Sequence, residues 1–208
     1  MNRIKRAIKK RFGKKIEKKV IIDTVENDDA ANSYCGNSIS SFNVLIVTNI
    51  EDYKEINLLL ENKVRNVNIL KYNNEAFSKE VIIEASNNIG RYDCIMNIFD
   101  DSNINNDGMD LVKTFYKSNQ VEIDYLCDND FRAKLCNVAI VKEDFEQEYT
   151  LKSMLEGISS ISGNHFILQS GLVVRNGNKL KEIINAVSFL VSKYGDILTG
   201  QVLYMDLK

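Results

Sequence analysis

The chain has 208 residues, 44% of them hydrophobic and 27% charged, a composition that fits one globular domain with a sizeable core and excludes a disordered chain. No run approaches the roughly 18 uninterrupted apolar residues of a membrane-spanning helix, which excludes a protein built on such helices. Four cysteines (35, 94, 127 and 136) without C-x-x-C spacing and a single histidine, His165, exclude the usual zinc ligand sets and leave any Ser-His-Asp or Cys-His arrangement dependent on His165 alone.

The net charge of -2 hides an asymmetry. Residues 1–20 hold ten Lys or Arg against Glu17 alone, a charge of +9, so the rest of the chain, with 17 basic and 28 acidic residues, carries -11. Ile4, Ile8, Phe12 and Ile16 recur every four residues among these cations, which predicts a basic amphipathic helix. It lacks the apolar run of a secretory signal, so the expected compartment is the cytoplasm, with the cysteines as reduced thiols. A solvated tail, an acidic partner, nucleic acid and an anionic membrane surface are the readings open to such a segment. The acidic remainder would repel phosphates, so no nucleic acid is expected. The membrane surface is preferred, with Ile4, Ile8, Phe12 and Ile16 inserted and the protein peripheral on the inner face. Residues 21–42, rich in Asp, Asn, Ser and Gly, read as a linker with an extended piece at 20–25.

From position 43 strands and helices alternate. NVLIVT at 43–48 is a continuous β-branched run, expected of a strand covered on both faces. The following elements are a helix at 52–62, a strand at 67–70, a helix at 79–86 and a strand, DCIMNIF, at 93–99. Two helices are expected at 108–118 and 122–135, then a strand at 137–141, a helix at 149–162 and a strand at 165–170. The chain closes with a helix at 179–193 and a strand at 201–206. This alternation predicts an α/β fold: a doubly wound parallel sheet in a Rossmann-like three-layer sandwich over 43–208.

The last segment, KEIINAVSFLVSKYGDILTGQVLYMD at 181–206, resembles the carboxy-terminal part of the short-chain dehydrogenase/reductases. There a helix ending Phe-Leu-x-Ser precedes a loop, Thr-Gly-Gln and a final strand with Asp near its end. Phe189, Leu190, Ser192, Thr199, Gly200, Gln201 and Asp206 stand at that spacing. YDCIMN matches the strand before the family's Asn-Ala-Gly loop, and Ser170-Gly171 stands where the family has Pro-Gly. The resemblance covers 43–206.

That resemblance implies NAD or NADP as cofactor, but the family's motifs are altered here. Its loop T-G-x-x-x-G-x-G, whose glycines let backbone amides approach a pyrophosphate, reads Thr48, Asn49, Ile50, Glu51, Asp52, Tyr53, Lys54, Glu55. Tyr53 and Glu55 are expected to fill the phosphate space. The Asn-Ala-Gly loop keeps Asn97 but ends Phe99-Asp100. The Tyr-x-x-x-Lys pair, in which lysine lowers the tyrosine pKa for proton transfer, has only Tyr149 and Lys152, three apart, as weak candidates. The substrate-covering segment after the strand at 165–170 is missing.

His165 reads as a structural residue and not a base, and Cys94 and Cys136 as core thiols. Asp100, Asp101, Asp107 and Asp110 read as a solvated loop, since they lack a calcium-loop pattern. No metal and no cofactor are expected. The function expected is therefore a non-catalytic, short-chain dehydrogenase-like scaffold or partner subunit, in a setting compatible with membrane-associated bacterial envelope or polysaccharide assembly. The alternative is an NAD(P)-dependent oxidoreductase with an atypical or shared active site. By the family's habit of two-fold contacts through its last helix and strand, Ala186, Phe189 and Tyr204 are expected to form the interface of a homodimer or of a mixed oligomer with an active relative.

Overall fold

Val44 and Ile46 point into one hydrophobic layer and Leu45 and Val47 into another, and all six residues of the first strand are buried. That two-faced burial is why a β-branched run without polar alternation forms a central strand. The computed structural model describes residues 39–51, 53–72, 76–104, 108–128, 132–142, 148–161, 167–175 and 179–207, with the side chains of 108–110 and 159–161 excepted. The basic segment 1–20, with Ile4, Ile8, Phe12 and Ile16, lies outside them, as do His165 and Asp107.

The elements are β1 (Asn43–Thr48), α1 (Tyr53–Glu61), β2 (Asn66–Lys71), α2 (Lys79–Ser86), β3 (Cys94–Asp100), α3 (Gly108–Asp128), β4 (Ala133–Val141), α4 (Glu148–Ile161), β5 (Ile167–Arg175), α5 (Leu180–Val191) and β6 (Val202–Asp206). They form one sheet in the order β2-β1-β3-β4-β5-β6, parallel throughout. Helices α1 and α5 cover one face, over Val44, Ile46, Met96, Val138 and Val174. Helices α2, α3 and α4 cover the other, over Leu45, Ile95, Phe99, Leu135 and Val173. This is the expected three-layer, doubly wound architecture. Ile39, placed in the linker by its composition, is fully buried in the α1/α5 layer.

Two expectations fail here for a physical reason. Polar residues at 117–120 suggested a break between two helices, but α3 is continuous from Gly108 to Asp128. Ser118 and Asn119 are buried on its inner face, and both side chains donate to the Phe115 carbonyl, at 3.2 and 2.6 Å. Their polarity is satisfied inside the fold, so it does not mark a surface turn. Residues 133–135, assigned to a helix, begin β4 instead. There Lys134 leaves the core by pairing with Asp196 and lying 5.9 Å from the centre of the Phe42 ring. Strand β5 also runs past Ser170-Gly171 to Arg175, because Gly171–Arg175 pair with Val202–Asp206.

The carboxy-terminal segment is held by close approach. A Cβ on Gly171 would lie 2.9 Å from Val202 Cγ2, so glycine lets β6 pack tightly on β5. Gly200 has φ +85°, a left-handed turn conformation that glycine adopts without strain, and its N–H donates to the Gln169 carbonyl at 2.8 Å. The Thr-Gly-Gln pattern is thus a turn that starts an edge strand.

Candidate functional site

From β1 the chain runs to β2 on one side, then returns to place β3 on the other, so the carboxyl ends of β1 and β3 flank the topological switch point where doubly wound sheets bind ligands. Thr48, at the end of β1, is buried; its hydroxyl donates to the Ile98 carbonyl at 2.7 Å and accepts from the Ile50 N–H at 3.1 Å. The Asn49 side chain then bridges the crevice. Its Nδ2 donates to the Asp100 carbonyl at 2.8 Å, and its Oδ1 accepts from the Asp100 N–H at 2.8 Å. Asp100 turns its carboxylate onto Ser102, accepting from its N–H at 2.8 Å and its hydroxyl at 2.6 Å. Asn49 and Asp100, which the sequence resemblance sets against glycines of two family loops, clasp each other here.

Tyr53 and Glu55 take no part in this clasp. Both are exposed in the first turn of α1, where Glu55 complements the helix dipole. The expectation that they fill the crevice gives way to closure by Asn49. Beside the clasp is a cavity of about 410 Å³ lined by Asn49, Glu51, Lys71, Tyr72, Ser102 and Asn103. Between Asn49 and Glu51 the Ile50 amide is spent on the Thr48 hydroxyl, and Glu51 and Lys71 bring one charge of each sign to the cavity.

Asn97 is fully buried and points into the layer beneath α3. Its Nδ2 donates to Glu122 Oε2 at 2.6 Å and to Asn137 Oδ1 at 2.9 Å, and Asn119 exchanges hydrogen bonds with Asn137. Asn97, the residue of the Asn-Ala-Gly pattern that the sequence keeps, is thus engaged in the core. Sequence reading missed Asn119, Glu122 and Asn137, although Leu111, Phe115, Asn119 and Glu122 share the helical spacing of one inner face.

The catalytic candidates lie elsewhere, at the start of α4 against the carboxyl ends of β5 and β6. Tyr149, Lys152, Glu148, Arg175, Tyr204 and Asp206 line one open cleft of about 690 Å³. Tyr149 is 81% exposed. The Lys152 ammonium is 5.5 Å from the centre of the Tyr204 ring and 3.7 Å from Glu156 Oε1, and these contacts account for its position. Arg175 forks onto Glu148, with contacts of 2.6 to 3.1 Å. Burial, then the Glu148 and Glu156 carboxylates, push the Tyr204 phenol up, so it stays neutral. Glu143, beyond β4, lies outside the described residues; Lys142 is exposed.

Of the interface candidates, Ala186 is half-buried and packs on the core from α5, Phe189 is 37% exposed on α5, and Tyr204 is 45% exposed on β6. Strand β6 is an edge of the sheet. Tyr204 meets α4 on one face of that edge, whereas Phe189 stands one turn after Asn185, whose Oδ1 accepts from Lys63 beyond α1 at 2.6 Å, so the two do not flank the same edge.

Cys94 and Cys136 are buried and unpaired; burial pushes Cys136 up to about 12 and Cys94 well above the usual range, so both remain inert thiols. Among the described residues no three His, Cys, Asp or Glu stand together as a metal site, and no helix is long and apolar enough to cross a membrane.

The fold defines a class first, the doubly wound α/β proteins that present a crevice at the strand carboxyl ends. Within that class it is the fold of the short-chain dehydrogenase/reductases. A short-chain dehydrogenase from Leptospira borgpetersenii, solved with bound NAD+, is similar at 11% identity and TM-score 0.60, over 87% of this chain and 94% of that one. A dehydrogenase/reductase from Sinorhizobium meliloti is similar at 12% identity and TM-score 0.56, over 84% and 97%. A second Sinorhizobium meliloti protein, assigned to the short-chain dehydrogenases/reductases, is similar at 16% identity and TM-score 0.60, over 85% and 89%. No protein-family model and no curated protein matches the sequence.

Proposed function

We propose that this chain is a divergent, non-catalytic member of the short-chain dehydrogenase/reductases, a scaffold or partner subunit that takes no dinucleotide between β1 and β3. The observation that carries this reading is the pair of hydrogen bonds, each 2.8 Å, between the Asn49 amide and the Asp100 backbone. They tie together the two strand ends between which a dinucleotide would enter. The work left to such a subunit is assembly through β6 and α5, as a homodimer or beside an active relative, with Phe189 and Tyr204 as its exposed apolar contacts. The basic segment 1–20 adds attachment to an anionic membrane: each Lys or Arg near such a surface contributes roughly 1 kcal/mol, and Ile4, Ile8, Phe12 and Ile16 insert. That placement is compatible with envelope or polysaccharide assembly. Three measurements test the parts. Millimolar NADH or NADPH should leave the unfolding temperature unchanged, and a marked rise would overturn the cofactor-free reading. Light scattering at micromolar concentration should give an oligomer that Phe189→Asp with Tyr204→Asp dissociates; an unchanged mass would place the interface elsewhere. Anionic liposomes should sediment the full chain and not a truncation lacking residues 1–20.

A second reading has one observation in its favour: Tyr149 and Lys152 share the 690 Å³ cleft with Arg175 and Tyr204. It is an oxidoreductase whose nucleotide sits differently or is completed by another subunit. Stabilisation by NADPH that survives in Asn49→Ala but is lost on Tyr149→Phe would select it.

A further inference from the structure

Glu122 is the one carboxylate among the described residues that is fully buried, and it lies beneath the crevice on the inner face of α3. Its Oε2 accepts from Asn97 Nδ2 at 2.6 Å. Its Oε1 has no hydrogen-bond partner, and neither does Asn97 Oδ1. The same two side chains are therefore joined by one bond and each carries one orphaned acceptor. An ionised Glu122 would leave a charged oxygen unbonded in the core, an arrangement that buried charges avoid by neutralising.

We propose that Glu122 is carried as a neutral carboxylic acid whose proton, on Oε1, is donated to Asn97 Oδ1, closing a two-bond acid–amide ring that latches α3 onto β3. One proton satisfies both orphans. The ring extends through Asn137 on β4 and Asn119 on α3, so the latch spans two strands and a helix. Among the described residues no ion pair is made by Glu122, and only burial and the Asn97 hydrogen bond act on its carboxyl. Asn97 faces Glu122 from the sheet, and Ile82 of α2 with Leu151 and Leu155 of α4 belong to the apolar layer on that side of the sheet. Tyr72, at the end of β2, is the titratable neighbour; burial, then the field of Glu122, push its phenol up to about 12. Burial likewise pushes the Glu122 carboxyl up to about 8, against a weaker downward pull from the Asn97 hydrogen bond.

The latch makes the fold sensitive to base. An acid with a raised pKa in the folded state stabilises that state fully below its unfolded pKa, and the stabilisation is lost as pH rises toward the folded value, because unfolding then releases the proton. This inference stands independently of the cofactor-free reading. Wild type and Glu122→Gln are to be unfolded in urea from about pH 5 to about pH 9. Relative to the variant, the wild-type unfolding constant should rise close to tenfold per pH unit in the middle of that range and level off above about pH 8. Parallel pH profiles for the two proteins would overturn the proposal. Carbon-13 NMR of glutamate-labelled wild type gives a test that does not depend on the variant folding: one side-chain carboxyl should keep its protonated shift at neutral pH, and titration of every glutamate below about pH 6 would overturn the proposal equally.

Discussion

The two ends of the sheet have been treated differently. At the β5–β6 end, the segment that resembles the short-chain dehydrogenase/reductases is tied to packing. Gly171 admits Val202, Gly200 makes the turn into β6, and a Cβ on Gly195 would lie 2.0 Å from the Leu190 carbonyl oxygen. At the β1–β3 end stand Asn49 and Asp100, whose side chain and backbone bond to each other. At the first end a side chain in place of Gly171 or Gly195 would collide with its neighbours, whereas at the second the Asn49 side chain is accommodated by its bonds to the Asp100 backbone. Fold and site are separable in this chain because different atoms specify them.

The largest expected effect lies at the packing end. Gly195→Ala drives a methyl into a backbone carbonyl that cannot rotate away, and should destabilise by about 3 kcal/mol, read as a drop in the urea midpoint. Asn49→Ala removes both bonds to the Asp100 backbone and should destabilise by about 1–2 kcal/mol without creating NADPH stabilisation, because the missing glycines are not restored. A larger loss for Asn49→Ala than for Gly195→Ala would break the contrast. Gly171→Ala meets a side-chain methyl at 2.9 Å, not backbone, so Val202 can shift and the cost should be about 1 kcal/mol. Tyr149→Phe, on an exposed ring, should change stability by no more than about 0.5 kcal/mol; a larger change would mean that its hydroxyl is built into the cleft and would sharpen the case for a site there.

Much of the architecture is legible in particular residues. NVLIVT reads as a central strand because both of its faces are apolar, and Ile183, Ile184, Val187, Leu190 and Val191, the residues expected to be inward on α5, are all buried. The boundaries of α3 were not legible, because Asn119 and Glu122 look like surface until Asn137 and Asn97 are brought to them from elsewhere in the fold, while Ser118 is satisfied by the Phe115 carbonyl of its own helix. The candidate site divides the same way. Loss of the loop glycines is plain in the sequence. That Asn49 closes the crevice while Tyr53 and Glu55 face solvent depends on where Asp100 comes to lie, 51 residues away.

By itself the sequence determined the layering, the parallel alternation and the likeness to short-chain dehydrogenases/reductases. These are local properties, carried by periodicity and by runs of neighbouring residues. Only the tertiary structure decided that Tyr149, Lys152 and Tyr204 share a cleft and that Asn97 is spent on Glu122. Each of these joins side chains distant in the chain, and burial, which sets the cost of a charge and the need for a partner, exists only once the layers have closed over them.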